Sequence, residues 1–417
     1  MKKSFRRIRN CRACGSDNLR AYLDLPSSPP ANGLLRPGQQ DPERIELMMM
    51  LCEDCFLSQL SVVVDPEAIY RDYAYHSSVS KTFKAHCRSM AKTIKSGFNF
   101  KEKSPFLMDI ASNDGCLMRE FRAEGFRVSG VEPCKAMADS CNEEGMPTLN
   151  RFFSKESVEK LSIGPVDVIT ATNVFAHVDD LDGFLGGVKC LLEPDLGVFV
   201  VEVPHMLSIV NFNQFDTIYH EHLSYFLLKP MVGLFQRNGL TIFRAEKLDI
   251  HGGSIRVYAC HDSARKVESS VGEVIALEES SGMYEKDTYK DFANWVVRLG
   301  ADLRTVLDFT MECGKKVIGY GASAKGISMT NYLGIGKYIH SIVDDTPAKQ
   351  GLLTPGERIG IHPFEAFESE KPDYILLFAW NFAEEMMEKT KHLGARYIVP
   401  IPSPQILDPV AQELVAS

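Results

Sequence analysis

Residues 106–125 form a unit with the pattern of a strand, a turn of small residues and a helix. Of all features in the sequence, this unit most restricts the possible folds. Asp109 lies near the end of the apolar strand, and Ala111, Asn113 and Gly115 lie in the turn. Small residues at such a turn let the backbone approach a bound ligand closely. The unit therefore predicts an α/β fold that binds a nucleotide-containing cofactor at this turn.

The segment that follows repeats the alternation of apolar strand and helix. A second strand, residues 126–131, leads to Glu132, roughly 20 residues after Asp109, where an acid accepts hydrogen bonds from ribose hydroxyls. A further strand ends at Asn173, another candidate cofactor contact, and a fourth covers residues 197–204. Such alternation predicts a mostly parallel sheet that is wound by helices.

Two alternating strands end this middle part of the chain. Residues 241–248 and 254–260 are separated by a short connection that contains Gly252 and Gly253, so they are predicted to pair antiparallel. The glycines supply the positive φ angles of a hairpin turn. A mostly parallel sheet with an antiparallel hairpin at its edge resembles class I methyltransferases more than dehydrogenases, which favours S-adenosylmethionine as the cofactor.

Four cysteines near the N-terminus form two CxxC pairs, Cys11 with Cys14 and Cys52 with Cys55. Each pair can point two sulfurs at one ion, and four thiolates suit tetrahedral zinc. Two disulfides or four free thiols are the alternatives, and a reducing compartment favours zinc over both. Because four protein ligands leave no open position, the Zn2+ is expected to stabilise the fold and not to take part in catalysis.

Charge and hydropathy exclude some classes of function. The chain has 417 residues, enough for two or three domains, and 46 Lys and Arg against 55 Asp and Glu give a net charge of −9. This sign disfavours nucleic acid as a partner but is compatible with a phosphate-bearing substrate, which local amides and a few cations bind. No run reaches the roughly 18 apolar residues of a membrane span, and the basic start lacks an apolar signal core. We expect a cytoplasmic monomer with no membrane partner.

A second strand-turn-helix unit begins at about residue 315. Gly321 and Ser323 at its turn would expose amides to a phosphate, and Lys325 would add positive charge. The next strand ends at Asp344, as a ribose-binding strand does, and a third strand covers residues 374–379. This arrangement favours nucleotide-sugar binding; the alternative is a degenerate copy of a nucleotide-binding fold that only packs.

Several motifs together resemble one family. They are the two cysteine pairs and residues 109–115, 216–225, 251–256, 319–326 and 379–383. Over nearly the whole chain they resemble the three-domain sugar C-methyltransferases of deoxysugar biosynthesis, which depend on S-adenosylmethionine. The resemblance implies an α/β protein with a zinc-binding lobe (1–72), a methyltransferase core (73–264) and a Rossmann-like lobe that binds the nucleotide-sugar (265–417).

The resemblance also implies a reaction and a cofactor site. Members of the family methylate a carbon beside the ketone of a nucleotide-linked 4-keto-6-deoxysugar, and C-3 is favoured here over C-5. Asp109, Asn113, Gly115 and Glu132 would lie along the S-adenosylmethionine site. Ala111 stands where many relatives carry glycine, so its backbone is expected to keep a negative φ.

Carbon becomes a nucleophile when a proton beside a ketone is removed, which requires a base and a group that stabilises the enolate oxygen. Residues 219–222 offer such groups close together. His222 is predicted as the leading base, Glu221 as its orienting partner or the base itself, and Tyr219 as the donor to the oxyanion. A metalloprotease motif is excluded, because HExxH would need a histidine where Ser224 stands.

Two further segments carry candidate side chains. His177 follows a strand, and Tyr73 and Tyr75 precede the methyltransferase core. The resemblance places both segments at the active site, with His177 and Tyr73 as alternative catalytic residues and Tyr75 as a substrate contact. A single histidine or tyrosine at a strand end is also often structural. The identity of the base therefore stays open among His222, Glu221, His177 and Tyr73.

Three other functions fit parts of the pattern. Methylation of a sugar nitrogen or oxygen needs a weaker base than methylation of carbon, and it stays an alternative. A nicotinamide-dependent nucleotide-sugar oxidoreductase or epimerase is disfavoured, because residues 319–326 lack the usual dinucleotide spacing. A non-catalytic zinc adaptor is disfavoured, because the polar residues of the cofactor turn are present.

Overall fold

The computed structural model describes residues 4–71, 76–159 and 163–409. These residues form a four-stranded, a seven-stranded and a six-stranded sheet, and one further pair of strands. We refer to an N-terminal unit (residues 4–71), a core (76–264) and a C-terminal unit (265–409). The boundaries predicted from the sequence, at residues 72 and 264, stay predictions.

The N-terminal unit is built from short antiparallel strands. Its elements are β1 (Phe5–Arg7), β2 (Leu19–Ser28), β3 (Ile45–Cys52), β4 (Ser58–Leu60), β5 (Val62–Val64) and α1 (Pro66–Tyr70). β3 pairs with β2 and β4, while β1 pairs with β5. Alternate residues of β3 are buried because one face of the strand packs on the apolar interior, and β3 ends at Cys52 in the second CxxC turn.

The core contains the seven-stranded sheet. Its first elements are α2 (Lys81–Gly97), β6 (Phe106–Ile110), α3 (Cys116–Ala123), β7 (Arg127–Val131), α4 (Lys135–Glu143), β8 (Thr148–Leu149), α5 (Lys155–Glu159) and β9 (Val168–Thr172). Its later elements are α6 (Leu181–Leu191), β10 (Val198–Pro204), α7 (Met206–Asn211), β11 (Ser224–Tyr225), α8 (Leu228–Arg237), β12 (Leu240–Leu248) and β13 (Ser254–His261).

The order of strands in this sheet is β12, β13, β10, β9, β6, β7 and β8. β13 runs antiparallel to both β10 and β12, whereas the pairs from β10 to β8 are parallel. The prediction of a mostly parallel sheet with an antiparallel hairpin at its edge is therefore confirmed. The carboxyl ends of β6, β7, β9 and β10 meet at one edge, which is where ligands bind in open α/β sheets.

Close approach explains one glycine of this sheet. Gly130, near the end of β7, faces the turn that follows β6, and a Cβ atom there would lie 2.5 Å from the hydroxyl of Ser112. Only glycine lets the turn pack directly on the strand. This contact holds the predicted cofactor turn against the sheet.

The C-terminal unit carries the six-stranded sheet. Its elements are α9 (Ser269–Ser280), α10 (Lys286–Glu312), β14 (Val317–Tyr320), α11 (Ala324–Leu333), β15 (Ile339–Val343), β16 (Ile361–His362), α12 (Ala366–Glu370), β17 (Tyr374–Leu377), α13 (Ala383–Thr390), β18 (Arg396–Val399) and β19 (Gln405–Leu407). The order is β16, β15, β14, β17, β18 and β19, parallel except for β19. The predicted Rossmann-like lobe is confirmed, although the sequence analysis gave it only three strands.

The three units share contacts near the segment that contains the predicted base. β11 belongs to the chain of the core but completes the sheet of the N-terminal unit, where Tyr225 pairs with Ser58 of β4. Leu35 of the N-terminal unit forms an isolated bridge with Leu353 of the C-terminal unit. Tyr332 and Trp380 of the C-terminal unit bond to residues 218 and 216, so residues 215–225 contact both other units. Within the described ranges, we find no helix with the length and apolarity needed to cross a membrane.

Candidate active site

The four CxxC cysteines meet at one point. One ligand atom from each lies within 4.8 Å of the others, and the Sγ atoms of Cys11 and Cys55 are 3.5 Å apart, those of Cys14 and Cys52 3.6 Å. Four thiolates at about 2.3 Å from a single ion would have similar separations. The cysteines of the described chain are all free thiols, so the disulfide alternative is not supported. The cluster fits a closed, tetrahedral zinc site.

The four-cysteine cluster is connected to the segment of the predicted base through strand pairing. Cys52 donates its backbone N–H to Leu57, just before β4, and Leu60 of β4 donates to the carbonyl of Leu223 at 3.0 Å. The buried guanidinium of Arg12, which lies between two zinc ligands in the sequence, donates to the same carbonyl at 2.9 Å. Because Leu223 follows His222 directly, the fold of the metal site positions the chain next to the predicted base.

The predicted cofactor turn lies at the carboxyl end of β6. Asp109 is buried, and its Oδ1 accepts a hydrogen bond from the Thr170 hydroxyl of β9 at 2.7 Å. Burial raises the pKa of Asp109 to about 7. Asp109 therefore joins two adjacent strands beneath the turn.

The turn itself adopts left-handed backbone conformations. φ is +55° at Ala111, +51° at Asn113 and +76° at Gly115. The expectation of a negative φ at Ala111 is wrong: its N–H donates to Val131 of β7 at 2.7 Å, and this bond fixes the turn in a conformation that costs a non-glycine residue about 1–2 kcal/mol. Position 111 therefore keeps a backbone conformation typical of glycine, although alanine occupies it.

Two carboxylates at this turn fit the polar groups of S-adenosylmethionine. Glu132 is 5% exposed, and its two oxygens accept the N–H groups of Asn113 at 2.8 Å and Cys134 at 2.7 Å, which leaves lone pairs for ribose hydroxyls. Asp114 accepts the N–H of Ser78 at 3.0 Å, while its buried Oδ1 has no hydrogen-bond partner among the described residues. Such an oxygen suits the ammonium of an amino acid. The sequence analysis missed Asp114, although an acid inside the turn was the available signal.

The neighbouring strands contribute a further buried charge network. Asn173, with φ of +57°, follows β9 and donates its N–H to the carbonyl of Glu202 on β10. The Glu202 carboxylate lies between His86, at 2.8 Å from Nε2, and the guanidinium of Arg256. Burial opposes the charge of Glu202, but His86 and Arg256 outweigh it and hold its pKa below the usual value. The sequence analysis missed this network, apart from noting the motif that contains Arg256.

His222 is fixed by two hydrogen bonds. Its Nδ1 lies 2.8 Å from the carbonyl oxygen of Thr217, which can only accept, so Nδ1 carries the proton. Its Nε2 then has a lone pair, to which the Tyr219 hydroxyl donates at 2.9 Å. The structure therefore brings the predicted base and the predicted oxyanion donor into direct contact.

Glu221 does not orient His222. Both ring nitrogens of His222 are bonded to Thr217 and Tyr219, and Glu221 Oε1 instead accepts from the side chain of Asn32 at 2.7 Å. The predicted orienting role is therefore wrong, because the backbone carbonyl of Thr217 performs it. A backbone acceptor leaves no signal in a residue pattern. The alternative role of Glu221 as a base stays a prediction.

His177 belongs to the same cluster. Its ring centre lies 5.0 Å from that of His222. Its Nδ1 lies 3.0 Å from the hydroxyl of Tyr70, and the rings of Tyr70 and His177 are stacked. Tyr70, at the end of α1, was not singled out from the sequence. Tyr73 and Tyr75 lie outside the described residues.

Burial sets the charge state of the cluster. It holds the pKa of His222 well below 6.5, with His177 as a second cause, and lowers the pKa of His177 to about 4. Burial and the charge of Glu221 hold the pKa of Tyr219 well above 10. Near pH 7 both imidazoles are neutral and Tyr219 keeps its proton. This is the combination that a general base and an oxyanion donor require.

A turn joins β14 to α11 where the sequence predicts phosphate binding. Gly321 has φ of +88°, and Ser323 caps α11 by accepting the N–H of Gly326 at 3.2 Å. Asp344 accepts from the N–H of Thr346 and lies 3.3 Å from the ammonium of Lys349. Lys349 also donates to the Ala322 carbonyl at 2.9 Å. It is therefore a cation at this turn that the sequence analysis missed.

Lys325 extends from the start of α11 toward the core. Its ammonium lies 5.4 Å from the ring centre of Trp380, whose indole N–H donates to Asp216 at 2.7 Å. Its positive charge is also one cause of the low pKa of His222. The structure thus brings Lys325 toward the catalytic cluster, whereas Gly321, Ser323 and Asp344 stay together around the phosphate turn.

The strand order and the turn after β6 define a class I methyltransferase that uses S-adenosylmethionine. Three family models match successive parts of the chain: a zinc binding domain (residues 11–70), a methyltransferase domain (83–245) and a C-methyltransferase C-terminal domain (249–402). The C-methyltransferase NovU of Streptomyces niveus is 35% identical over 418 residues, which cover 98% of this chain and 99% of that protein. The chain belongs to this family of zinc-binding C-methyltransferases, and it is an enzyme.

Solved methyltransferase structures are similar to less than half of the chain. The methyltransferase bound to the Trm112 activator of Haloferax volcanii is 14% identical, with a TM-score of 0.36, and covers 43% of this chain and 92% of its own. Magnesium protoporphyrin IX methyltransferase of Synechocystis PCC 6803 with bound S-adenosylmethionine is 11% identical, with a TM-score of 0.33, and covers 43% and 79%. Both matches leave more than half of this chain uncovered.

Proposed function

We propose that this enzyme methylates a carbon beside the ketone of a nucleotide-linked 4-keto-6-deoxysugar, with C-3 favoured over C-5. The observation that carries the proposal is the contact between the unprotonated Nε2 of buried His222 and the Tyr219 hydroxyl. A carbon nucleophile requires both groups, whereas an amine or alcohol needs a weaker base. Membership of the C-methyltransferase family favours carbon over the nitrogen and oxygen alternatives.

The cofactor would lie at the carboxyl edge of the core sheet. S-adenosylmethionine supplies a methyl group on a positively charged sulfur. Glu132 would accept hydrogen bonds from its ribose hydroxyls, and the turn over residues 109–115 would approach its amino-acid end. Asp114 would bind the ammonium, because its buried Oδ1 lacks a hydrogen-bond partner in the described part of the chain. Asn173 would border the site from the neighbouring strand.

His222 would remove the proton from the carbon. A hydroxyl proton serves one strong acceptor at a time, so Tyr219 bonds either to Nε2 of His222 or to the ketone oxygen of the sugar. When its O–H turns to the ketone, the Nε2 lone pair becomes available to the α-proton, and the hydroxyl stabilises the enolate oxygen. The carbonyl of Thr217 keeps its bond to Nδ1–H throughout.

Burial couples the two charges that proton transfer creates, the imidazolium of His222 and the enolate of the sugar. A lone imidazolium is disfavoured here, as the low pKa of His222 indicates. In the reaction the imidazolium forms together with an enolate, and their attraction is strong where water is excluded. His177, neutral and next to His222, adds no competing charge. Glu221, His177 and Tyr73 remain the alternative bases.

The C-terminal unit would hold the nucleotide. The N-terminus of α11 presents backbone amides beside Gly321 and Ser323, where a phosphate is stabilised. Lys325 and Lys349 would supply positive charge, and Asp344 would border the ribose. Tyr75 is proposed as a contact to the sugar, which would lie between this unit and the core.

The test is incubation with S-adenosylmethionine and a panel of nucleotide-linked 4-keto-6-deoxysugars, followed by NMR location of the new methyl group. We expect one product with a methyl at C-3. His222→Asn should form no product, whereas His261→Asn should match the wild type, because His261 bonds to Leu192 at the far ends of the sheet strands. A methyl found on oxygen or nitrogen, or an active His222→Asn, would contradict the proposal.

A further inference from the structure

Two side chains of the C-terminal unit bond to the short segment that holds His222. The indole N–H of Trp380 donates to Oδ2 of Asp216 at 2.7 Å, and the hydroxyl of Tyr332 on α11 donates to the carbonyl of Ile218. Asp216 and Ile218 are the two neighbours of Thr217. The C-terminal unit therefore holds the chain on both sides of this residue.

Thr217 is the residue whose backbone sets the state of His222. Its carbonyl accepts the Nδ1–H of His222 at 2.8 Å and also a longer bond, 3.4 Å, from the Tyr225 hydroxyl. A change in the direction of this carbonyl would remove the acceptor that keeps the proton on Nδ1 and the lone pair on Nε2. The position of a single backbone oxygen therefore decides which ring nitrogen can act as a base.

Residues 216–218 receive few hydrogen bonds from other units, in the part of the chain that the structure describes. Residues Phe215–Thr217 form one turn of 3-10 helix outside the sheets, and the Thr217 hydroxyl is buried without a hydrogen-bond partner in the described ranges. Upstream, Gln214 donates to the carbonyl of Gly252 at 2.5 Å. Downstream, the N-terminal unit holds residues 220–223 through bonds with Ile45, Asn32 and Leu60. Among the described residues, the bonds that reach residues 216–218 from another unit come from Trp380 and Tyr332.

Asp216 is the centre of this contact. Its carboxylate is fully buried, and burial of a carboxylate is costly unless hydrogen bonds and charges compensate. Trp380 supplies the hydrogen bond, and Lys325, above the Trp380 ring, supplies positive charge from the same unit. The backbone N–H groups of Asp216 and Thr217 contribute as well, while Oδ1 has no hydrogen-bond partner among the described residues. The side chains that compensate the charge come from the C-terminal unit, so the position of Asp216 depends in part on how this unit docks.

We propose that Trp380 and Tyr332 are positioning residues that hold residues 216–218 so that the Thr217 carbonyl fixes the reactive tautomer of His222. The inference rests on the proposed function of His222. It gives the C-terminal unit a role in the chemical step that is separate from nucleotide binding. Docking of this unit completes the catalytic base.

Trp380→Phe and Tyr332→Phe test this role. Tyr332→Phe removes only the hydroxyl donor, and Trp380→Phe removes the N–H donor together with part of the indole while it keeps an aromatic ring. We expect kcat to fall at least about ten-fold in each, while the KM for the sugar and the Kd for S-adenosylmethionine stay within about two-fold. Tyr338→Phe is the matched control. It also removes a hydroxyl donor from the C-terminal unit, but its partner is Asp308, and its kcat should be unchanged.

The distinguishing measurement is 15N NMR of histidine-labelled enzyme, with the His222 signal assigned by its absence from His222→Asn. Wild type and Tyr338→Phe should show the Nδ1–H tautomer, and the two test variants should show a mixture. Wild-type kcat in both variants, an unchanged tautomer, or an effect confined to KM would overturn the positioning role. Wild-type kcat in His222→Asn would instead refute the proposed function, and the positioning role with it.

Discussion

Asn32 donates a hydrogen bond from its side-chain amide to Oε1 of Glu221 at 2.7 Å, across 189 residues of sequence. Asn32 lies in the Pro-rich segment between the two CxxC pairs. The N-terminal unit therefore reaches a candidate catalytic carboxylate directly. The zinc-binding unit contributes to the site as well as to the fold.

The contact predicts a loss of activity when Asn32 becomes an acid. Asn32→Asp replaces the donor with a second carboxylate beside buried Glu221, and like charges at this distance disfavour ionisation of one of them. We expect kcat to fall about ten-fold or more in steady-state assays. Asn238→Ala, at the exposed end of α8, is the control. An Asn32→Asp enzyme as active as this control would show that the contact is dispensable.

Removal of one zinc ligand should affect both stability and catalysis. Cys14→Ser is expected to lose the metal, because three thiolates bind zinc more weakly than four, and to lower Tm by roughly 5 °C or more. Metal analysis and thermal unfolding measure these effects. Cys190→Ser, an exposed cysteine outside the cluster, should keep one zinc per chain and the wild-type Tm. Full zinc content in Cys14→Ser would refute the four-cysteine assignment.

The proposed ribose contact can be measured by calorimetry. Glu132→Gln keeps the size of the side chain and removes its charge, so the affinity for S-adenosylmethionine should fall roughly ten-fold or more. Glu120→Gln, on the outer part of α3, should bind as the wild type does. Equal affinity of the folded Glu132→Gln enzyme would place the ribose elsewhere.

The pH dependence of kcat should reflect the buried base. The neutral form of His222 is the active one, so activity is lost as pH falls through its pKa, which burial holds well below 6.5. We therefore expect kcat to stay constant between pH 6.5 and 8. An unperturbed histidine, with a pKa of about 6.5, would instead lose activity at the lower end of this range. Circular dichroism over the same range controls for unfolding. An acidic limb centred at 6.5 or higher would contradict this assignment of the base.

Local patterns in the sequence were sufficient for the main architecture. The alternation of strands and helices predicted the core sheet, because burial of one face or stripe is visible over short windows. The CxxC spacing predicted the metal cluster, because it too is a pattern that spans only a few residues. The turn after β6 was also found, but the positive φ of Ala111 was not, since it depends on the bond to Val131 across the sheet.

The parts of the site that were missed depend on contacts between distant segments. The acceptor for His222 is a backbone carbonyl, which any residue at position 217 would offer. Asn32 and Trp380 come from different units, and their partners follow from how these units dock. Glu221 was paired with His222 because they are adjacent in sequence, yet its Oε1 accepts from Asn32 of the N-terminal unit.

The central claim is that His222 removes the proton beside the ketone, and hydrogen exchange in deuterated water tests it most directly. The keto-sugar is incubated with enzyme and S-adenosylhomocysteine in place of the methyl donor, and deuterium uptake at the α-carbon is followed by NMR. The wild type and His261→Asn should exchange this proton. His222→Asn should not, while binding of S-adenosylhomocysteine remains nearly unchanged. Exchange by His222→Asn at the wild-type rate would contradict the account and move the base to Glu221, His177 or Tyr73.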